Sequence, residues 1–152
     1  MLYSMLTINK AYMKRVIMVV VLICFGFQSF AQRKPKLKGN RNVVQITEEL
    51  PPFTAIELSD DLEVTIQKGT SESVTIEADD NLLDVLKFDV SEGTLYISSF
   101  YNITSKKKLE ITVFYASLES LNLGNGVITM KDVITTEFLD VNTYGTARLV
   151  LN

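Results

Sequence analysis

The stretch "LNLGNGVITM" (Leu121–Met130) and the related stretch "YGTARLVL" (Tyr144–Leu151) decide between two kinds of β fold. The first has the pattern of a β-hairpin, because Asn125-Gly126 is a strong turn signal between two apolar runs. The second stretch matches it at an offset of 21 residues, with Gly145 aligned to Gly124, but it contains no Asn-Gly. What recurs is therefore a strand, a corner of small residues and a strand, rather than a hairpin.

Rungs of about 20 residues with small residues at the corners suit the coils of a β-solenoid. Upstream of Leu118 the pattern also suits strands joined by hairpins, as in a β-sandwich. The sequence therefore predicts an all-β fold, a β-solenoid-like domain, with a β-sandwich as the alternative.

Period-two alternation of apolar and polar residues predicts the strands in the first part of the domain. The runs are rich in β-branched residues and end at turn signals. They are "LEVTIQ" from Leu62, "SVTIEA" from Ser73, "TLYIS" from Thr94 and "LEITV" from Leu109. One segment breaks the rhythm, "DDNLLDVL" from Asp79, whose polar start and spaced leucines predict at most one short helical turn.

The first 31 residues have the three-part pattern of a secretory signal peptide. A basic start at Met13–Arg15 precedes twelve apolar residues, Val16–Phe27, and a small-x-small site ends at Ala31. Because a bilayer span needs roughly 20 apolar residues, we expect cleavage after Ala31 and no transmembrane span in the mature chain. Met13 is an alternative start, and the only cysteine, Cys24, lies inside the apolar run.

Charge divides the rest of the chain. Residues 32–42 include "RKPKLKGNR" (Arg33–Arg41), which carries five positive charges, and we predict a solvated basic linker there. From Val43 onward, seven basic residues stand against 18 acidic ones, a net charge of −11. An acidic domain at 43–152 argues against a nucleic-acid partner, which needs clustered Lys and Arg. The alternative role for the basic stretch is contact with an anionic membrane surface or polysaccharide.

Missing residue types remove most catalytic chemistry. The sequence has no histidine, which is the usual general base near neutral pH and the commonest metal ligand. After cleavage there is no cysteine either, so thiol nucleophiles and zinc–thiolate sites are excluded. No glycine-rich phosphate-binding motif is present. We therefore predict a non-enzymatic protein with no cofactor and no metal site.

Two groups of carboxylates are the residual candidates for glycoside hydrolysis or calcium binding. They are Asp60-Asp61 with Glu63, and Asp79-Asp80 with Asp84. Both groups lie between predicted strands, where Asp favours turns and caps, and adjacent aspartates do not converge on one face of a strand. We expect a structural role for both groups, and a polysaccharide-active enzyme is only the third functional hypothesis.

A loop in the middle of the domain is the candidate contact surface. The segment "SSFYNITSKKK" (Ser98–Lys108) places Phe100, Tyr101 and Asn102 close to three lysines. Exposed aromatics beside amide and basic groups can stack on sugar rings or grip an anionic surface. The alternative is that Phe100 caps the core while the lysines are solubilising charge. The partner predicted for this surface is a glycan or an envelope protein.

The order of these elements resembles a family of exported bacterial proteins. The resemblance is carried by "FTAIELSDDLEVTIQKG" from Phe53, "VTIEADDNLLDVLKFDVSEGTLYIS" from Val74, "LEITVFYASLESLNLGNGVITM" from Leu109 and "LDVNTYGTARLVL" from Leu139. From about Val43 onward the chain is similar to the putative auto-transporter adhesin, head GIN domain family. The resemblance implies a right-handed single-stranded β-helix-like fold, and export to the periplasm or cell surface of a Gram-negative bacterium.

Domains of this family continue through further glycine-rich rungs, whereas this sequence ends at Asn152 within a predicted strand. An uncapped rung exposes unpaired backbone groups beside Leu149 and Leu151. We expect a C-terminally truncated domain, and the alternatives are self-association through these leucines or an atypical last rung. The leading functional hypothesis is an exported, non-enzymatic binding or adhesion module with an unknown ligand. The second is a structural envelope component that self-associates through the open rung.

Overall fold

The structure is a computed structural model that describes residues 13–15, 18, 33–133 and 137–151. Its contacts divide the chain into two units, residues 1–33 and residues 34–152. The signal peptide predicted at residues 1–31 lies almost wholly outside the described residues, as does its cleavage site at Ala31. In the described part of the chain, no helix is long and apolar enough to cross a membrane.

The second unit is built almost entirely from strands. They are β1 (Lys36–Lys38), β2 (Val43–Glu49), β3 (Ala55–Leu58), β4 (Glu63–Lys68), β5 (Ser73–Asp79), β6 (Leu86–Ser91), β7 (Thr94–Ser99), β8 (Asn102–Ser105), β9 (Leu109–Tyr115), β10 (Ser120–Leu123), β11 (Val127–Met130), β12 (Asp140–Thr143) and β13 (Arg148–Val150). A helical turn, Asp80–Leu83, lies between β5 and β6, where the sequence predicts one. The fold is therefore mostly β.

The two larger sheets share one hydrophobic core. The five-stranded sheet has the order β12-β10-β3-β7-β6, and the six-stranded sheet has the order β13-β11-β4-β9-β5-β2. Ile56 and Leu58 from the first sheet and Val64 and Ile66 from the second belong to the same buried cluster. These sheets fit the sandwich-like alternative, in which two inner faces bury one core.

Successive strands cross from one larger sheet to the other at corners. β10 belongs to the five-stranded sheet and β11 to the six-stranded sheet, so Asn125-Gly126 joins two sheets and does not close a hairpin. β12 and β13 repeat this step and stack on β10 and β11 in parallel, with Ser120 opposite Asp140 and Val127 opposite Arg148. This confirms that the recurring element is a corner.

The two corners differ by one residue. The offset is 20 residues between β10 and β12, where Leu123 pairs with Thr143, and 21 residues between β11 and β13. Gly145 lies in the second corner with φ of +69°, and a Cβ there would clash with the carbonyl oxygen of Gly124. Glycine tolerates both the conformation and the close contact. The offset of 21 seen in the sequence is thus right for the second strand of the repeat and one residue too long for the first.

Antiparallel pairs form the other end of the larger sheets. β2 pairs with β5, β5 with β9, and β6 with β7. The predicted alternation holds on both β4 and β5, since Val64 and Ile66, and Val74 and Ile76, are buried. Their polar neighbours therefore lie on the outer side of the six-stranded sheet.

The basic stretch is docked on the domain. Lys36–Lys38 forms β1, which pairs in parallel with β8, and Leu37 packs against the main core. Gly39 N donates a hydrogen bond to Ser105 O at 2.8 Å. The prediction of a solvated linker at 32–42 does not hold for residues 36–39, because Leu37 between two exposed lysines gives this strand an apolar side.

β12 and β13 are the outermost strands at one end of the larger sheets. Their inward positions continue rows of the core, since Val141 lies opposite Leu121 and Leu149 opposite Ile128. All residues of β12 are exposed, and Leu151 is 66% exposed. This end of the sheets therefore presents apolar side chains next to strand edges.

Candidate functional site

The two-stranded sheet of β1 and β8 brings together the two basic stretches of the sequence. β1 carries two lysines, and the chain directly after β8 carries more. The exposed basic residues of this surface define what we term the basic strip: Lys36, Lys38, Arg41, Lys106 and Lys107.

Pairing between β1 and β8 sets the order of side chains along the basic strip. Lys36 lies opposite Asn102, and Lys38 lies opposite Ser105. Directly paired residues on adjacent strands project from the same face. Asn102, which the sequence predicts as a contact residue, is therefore next to Lys36.

Two exposed aromatic residues form one end of the basic strip. Phe100 and Tyr101 connect β7 to β8 and are 60% and 38% exposed, so Phe100 does not cap the core. Phe100 N donates a hydrogen bond to Val85 O at 2.9 Å, and Ser99 Oγ donates one to Tyr101 O at 2.8 Å. These bonds hold the backbone of the connection while both rings stay accessible. All three predicted contact residues, including Asn102, thus lie beside the strip.

A buried carboxylate, Asp79, holds the two basic stretches together. It is fully buried, and its Oδ2 accepts hydrogen bonds from Arg41 N at 3.2 Å and Lys107 N at 3.0 Å. Its Oδ1 accepts a third from Lys108 N at 3.2 Å. Burial by itself raises the pKa of Asp79, but these three backbone donors and the charge of Lys107 outweigh it and hold the pKa below its ordinary value. The ionised carboxylate therefore bridges the segment after β1 and the segment after β8.

Gly39 allows the basic segment to come this close. A Cβ on Gly39 would overlap the carboxyl group of Asp79. Any larger residue would push the segment away from its acceptor, so the glycine is required by close approach rather than by its own backbone angles.

The helical turn provides a second set of bonds to the same segment. The Asp80 carboxylate accepts hydrogen bonds from Asn42 Nδ2 at 2.8 Å and from Asn40 Nδ2. These bonds, with that of Asn42 the larger contribution, hold the pKa of Asp80 below its usual range. Asn81 Nδ2 donates to Lys38 O at 2.9 Å, and its Oδ1 accepts from Asn40 N at 2.9 Å. The chain that follows β1 is thus bonded along its length.

Asp60 anchors the start of the basic segment. Lys34 Nζ lies 2.5 Å from Oδ1 and 2.6 Å from Oδ2 of Asp60. The same ammonium group donates to Ser99 O at 2.7 Å, and Ser99 N donates to Asp60 Oδ2 at 2.7 Å. Charge-assisted bonds of this kind are roughly twice as strong as neutral ones. They tie the chain before β1 to the end of β7, next to the exposed aromatics.

The carboxylate candidates of the sequence are therefore structural acceptors. Asp60, Asp79 and Asp80 all accept hydrogen bonds from the N-terminal segment. The other carboxylates of the two groups are exposed: Asp61, Glu63 and Asp84. A general acid or base must exchange a proton with substrate, which a buried carboxylate occupied by three donors is poorly placed to do. Among the residues that the structure describes, no group of three or more His, Cys, Asp or Glu could hold a metal ion.

The basic strip carries five positive charges, of which that of Lys107 acts on the nearby carboxylate of Asp79. Over residues 33–133 and 137–151, the ion pairs involve Lys34, Lys87 and Lys108 and no residue of the strip. Lys108, which borders the strip, is paired with Glu77 at 2.7 Å and Glu110 at 3.4 Å, and the hydrogen bond with Glu77 raises its pKa. Exposed cations attract anions over a Debye length of about 8 Å at physiological salt.

The sequence predicts the basic stretch at 33–41 and the contact loop at 98–108 separately, but it does not predict that they form one surface. The alternation of Lys36, Leu37 and Lys38 was a local signal for a strand with one apolar side. Its pairing with β8, and the role of Asp79 as a shared acceptor, leave no local mark because the partners are distant in sequence.

Known proteins resemble this chain in sequence pattern and in fold. A family model described as "Putative auto-transporter adhesin, head GIN domain" matches residues 52–152. No curated protein matches the chain.

Three solved structures are similar in fold. A putative adhesin from Bacteroides fragilis has a TM-score of 0.68 and 17% identity, covering 76% of this chain and 55% of that protein. One from Parabacteroides merdae has a TM-score of 0.62 and 15% identity, covering 78% and 59%. A protein from Parabacteroides distasonis described as a putative lipid binding protein has a TM-score of 0.57 and 21% identity, covering 71% and 48%. This chain therefore spans about half the length of these proteins, and the likeness concerns the fold alone.

Proposed function

Because the chain belongs to the putative auto-transporter adhesin, head GIN domain family, we propose that it is an exported, non-enzymatic binding module of the bacterial envelope. The observation that carries this proposal is the basic strip with Phe100 and Tyr101 exposed at its end. The strip fits an anionic surface, with phosphate or carboxylate groups next to the lysines and an apolar or sugar-ring part next to the aromatics.

Two kinds of envelope component present this chemistry. One is an anionic membrane surface, to which each Lys or Arg contributes about 1 kcal/mol of attraction; the description of the Parabacteroides distasonis protein supports this one. The other is an acidic glycan, which the adhesin description of the family supports. An envelope protein would have to present the same acidic groups.

The proposal extends to architecture and location. We infer that the parallel stacks of β3, β10 and β12, and of β4, β11 and β13, form a β-solenoid-like part of the fold. Export to the periplasm or the cell surface is inferred from the signal-peptide pattern of residues 1–31.

The chemistry of the site supports a role without catalysis. The sequence has no histidine, and Asp60 and Asp79 are occupied by donors from the protein itself. The strip offers fixed positive charge and ring surfaces, which serve binding and positioning.

Binding to two anionic probes tests the proposal. The purified protein is sedimented with vesicles rich in phosphatidylglycerol and titrated separately with polygalacturonate, which distinguishes a lipid surface from an acidic glycan. The double variant Lys36→Glu/Lys38→Glu should weaken binding to the preferred probe by at least about 100-fold, because it reverses two charges of the strip. The control Lys68→Glu/Lys87→Glu makes the same change in net charge at exposed positions elsewhere. An equal loss in the control, or no binding of the unaltered protein to either probe, would refute the proposal.

A second candidate is self-association through β12 and β13. The observation that favours it is the exposed apolar end of the sheets, where Leu149 continues a core row and Leu151 is exposed. A second copy could cover these leucines and pair with the strand edges. Sedimentation velocity over a wide concentration range should show a defined oligomer that Leu149→Lys/Leu151→Lys converts to a monomer. A folded monomer of the unaltered protein at every concentration would eliminate this candidate.

A further inference from the structure

The six-stranded sheet carries a row of threonines on its outer side. Thr129 on β11 lies opposite Thr65 on β4, and Thr65 lies opposite Thr112 on β9. Thr112 in turn lies opposite Thr75 on β5, and Thr75 opposite Thr47 on β2. Five adjacent strands thus present one threonine each at the same level, and this surface is termed the threonine face.

The row is outward, regular and accessible. Thr65 stands between the buried residues Val64 and Ile66 and is itself half-exposed, and the same alternation holds on β5, β9 and β11. Strands lie about 4.8 Å apart, so five of them give a row about 19 Å long. At its edge, Thr47 Oγ1 lies 2.9 Å from Thr75 Oγ1. These two hydroxyls are therefore close enough to share a ligand.

Strand propensity alone does not account for this row. Val and Ile favour strands as strongly as Thr, and Val150 on β13 fills the sixth position, opposite Thr129. Threonine adds one feature that valine lacks, a hydroxyl group that both donates and accepts hydrogen bonds. Five such groups in succession match a ligand that repeats hydroxyl groups along its length.

A groove and an aromatic ring add to the sugar-binding chemistry of the threonine face. The groove has a volume of about 530 Å³, and its lining includes Thr65, Thr112 and Thr129. Phe114 lies on the outer side of β9, two residues from Thr112, and is flanked by Gln67 and Ser73 on the adjacent strands. A half-exposed ring beside polar groups is a platform on which a sugar ring can stack.

The threonine face differs from the basic strip in its charge. Glu77 and Glu110 border the row as a directly paired couple, and Lys108 beside them is already paired with both. These carboxylates can accept hydrogen bonds from sugar hydroxyls. The lining of the groove also contains Glu63, Lys131 and Arg148, so positive and negative charges balance and there is no surplus positive charge for a polyanion.

We propose that the threonine face binds a neutral, extended polysaccharide that lies across the strands. Hydroxyls of successive sugars bond to threonines on successive strands, since an extended β-linked glucan advances by roughly one strand spacing per sugar. This inference is independent of the basic strip, because it concerns another surface and an uncharged ligand.

An NMR titration with cellohexaose, a neutral β-linked glucose oligomer, tests the proposal. The signals of the threonine row in the unaltered protein should shift together, and cellobiose should bind more weakly because it spans fewer strands. The variant Thr65→Val/Thr112→Val keeps side-chain shape and strand propensity but removes two hydroxyls, and binding should weaken by about tenfold. The control Thr94→Val removes one hydroxyl from β7 of the other sheet and should bind normally.

The outcomes separate this proposal from that of the basic strip. Lys36→Glu/Lys38→Glu should lose the anionic probe and keep cellohexaose, whereas Thr65→Val/Thr112→Val should do the reverse. Shifts confined to Phe100 and Tyr101, an equal loss in Thr94→Val, or no binding at millimolar cellohexaose would each overturn the inference. Because the titration of the unaltered protein locates the site by itself, the test does not depend on the folding of any variant.

Discussion

The basic strip and the threonine face are both outward surfaces of one domain, but different interactions hold them in place. The strip joins segments far apart in sequence through the ionised carboxylates of Asp79, Asp80 and Asp60. The threonine face is one side of a continuous sheet, supported by ladder hydrogen bonds and by the core beneath it. The sensitivity of a surface to mutation, salt and pH therefore follows from what supports it, and the two surfaces should respond very differently.

Removing the buried carboxylate of Asp79 should give the largest difference between the two surfaces in thermal stability and binding. Asp79→Ala leaves the N–H groups of Arg41, Lys107 and Lys108 without their acceptor, so we expect Tm to fall by on the order of 10 °C. Binding to anionic probes should be lost as well, because the strip is no longer held together. Thr112→Val, by contrast, should change Tm by no more than about 2 °C. Thermal unfolding followed by circular dichroism measures both Tm values, and an unchanged Tm in Asp79→Ala would contradict the role of Asp79 as the shared acceptor of the two segments.

Ionic strength should affect binding at the two surfaces differently, and this can be measured without any mutation. Raising salt from about 0.05 M to about 0.5 M shortens the Debye length from about 14 Å to about 4 Å. We expect binding of the strip to anionic vesicles to weaken by at least about tenfold. Binding of cellohexaose to the threonine face, which rests on neutral hydrogen bonds, should change less than about twofold. A similar salt response at both surfaces would show that they are not electrostatically distinct.

Acid should loosen the strip before the sheet, with a smaller effect. The pKa values of Asp79 and Asp80 are lowered in the folded protein. A carboxyl group with a lowered pKa stabilises the folded protein at pH values above its ordinary pKa of about 3.9. This stabilisation is lost as the pH falls through the folded-state pKa. We expect hydrogen-exchange protection of Arg41 N and Lys107 N to fall below about pH 4 while amides of β4 and β9 stay protected. Simultaneous loss in the strip and the sheet would argue that the carboxylates act on global stability alone.

The sequence predicted the sheets because their signals are local. Alternation around Val64 and Val74 marks strands whatever they pair with, and the small residues near Gly124 mark a corner. The threonine row can be predicted in part by the same reasoning, since the alternation places each Thr at an outward position of its own strand. Its continuity depends on register between strands that are not neighbours in sequence, which no local pattern encodes.

The basic strip was beyond sequence reasoning for a related cause. Charge composition described the stretch before Val43 as solvated, because five positive charges in nine residues normally stay in water. The structure differs because acceptors far along the chain, among them Asp60, Asp79 and Ser105, bond this stretch to the domain. The sequence marks Asp60 and Asp79 only as carboxylate candidates, because the donors that make them acceptors lie far away in sequence.

The docking of the N-terminal segment has a consequence for the order of folding. Lys34 bonds to Ser99, 65 residues later, and Arg41 shares its acceptor with Lys107 and Lys108. Contacts that close such long loops form late, since their entropy cost precedes their reward. We therefore expect the N-terminal segment to dock only after the residues that accept its hydrogen bonds are in place. The basic strip can therefore form only when the chain as far as Lys108 is folded.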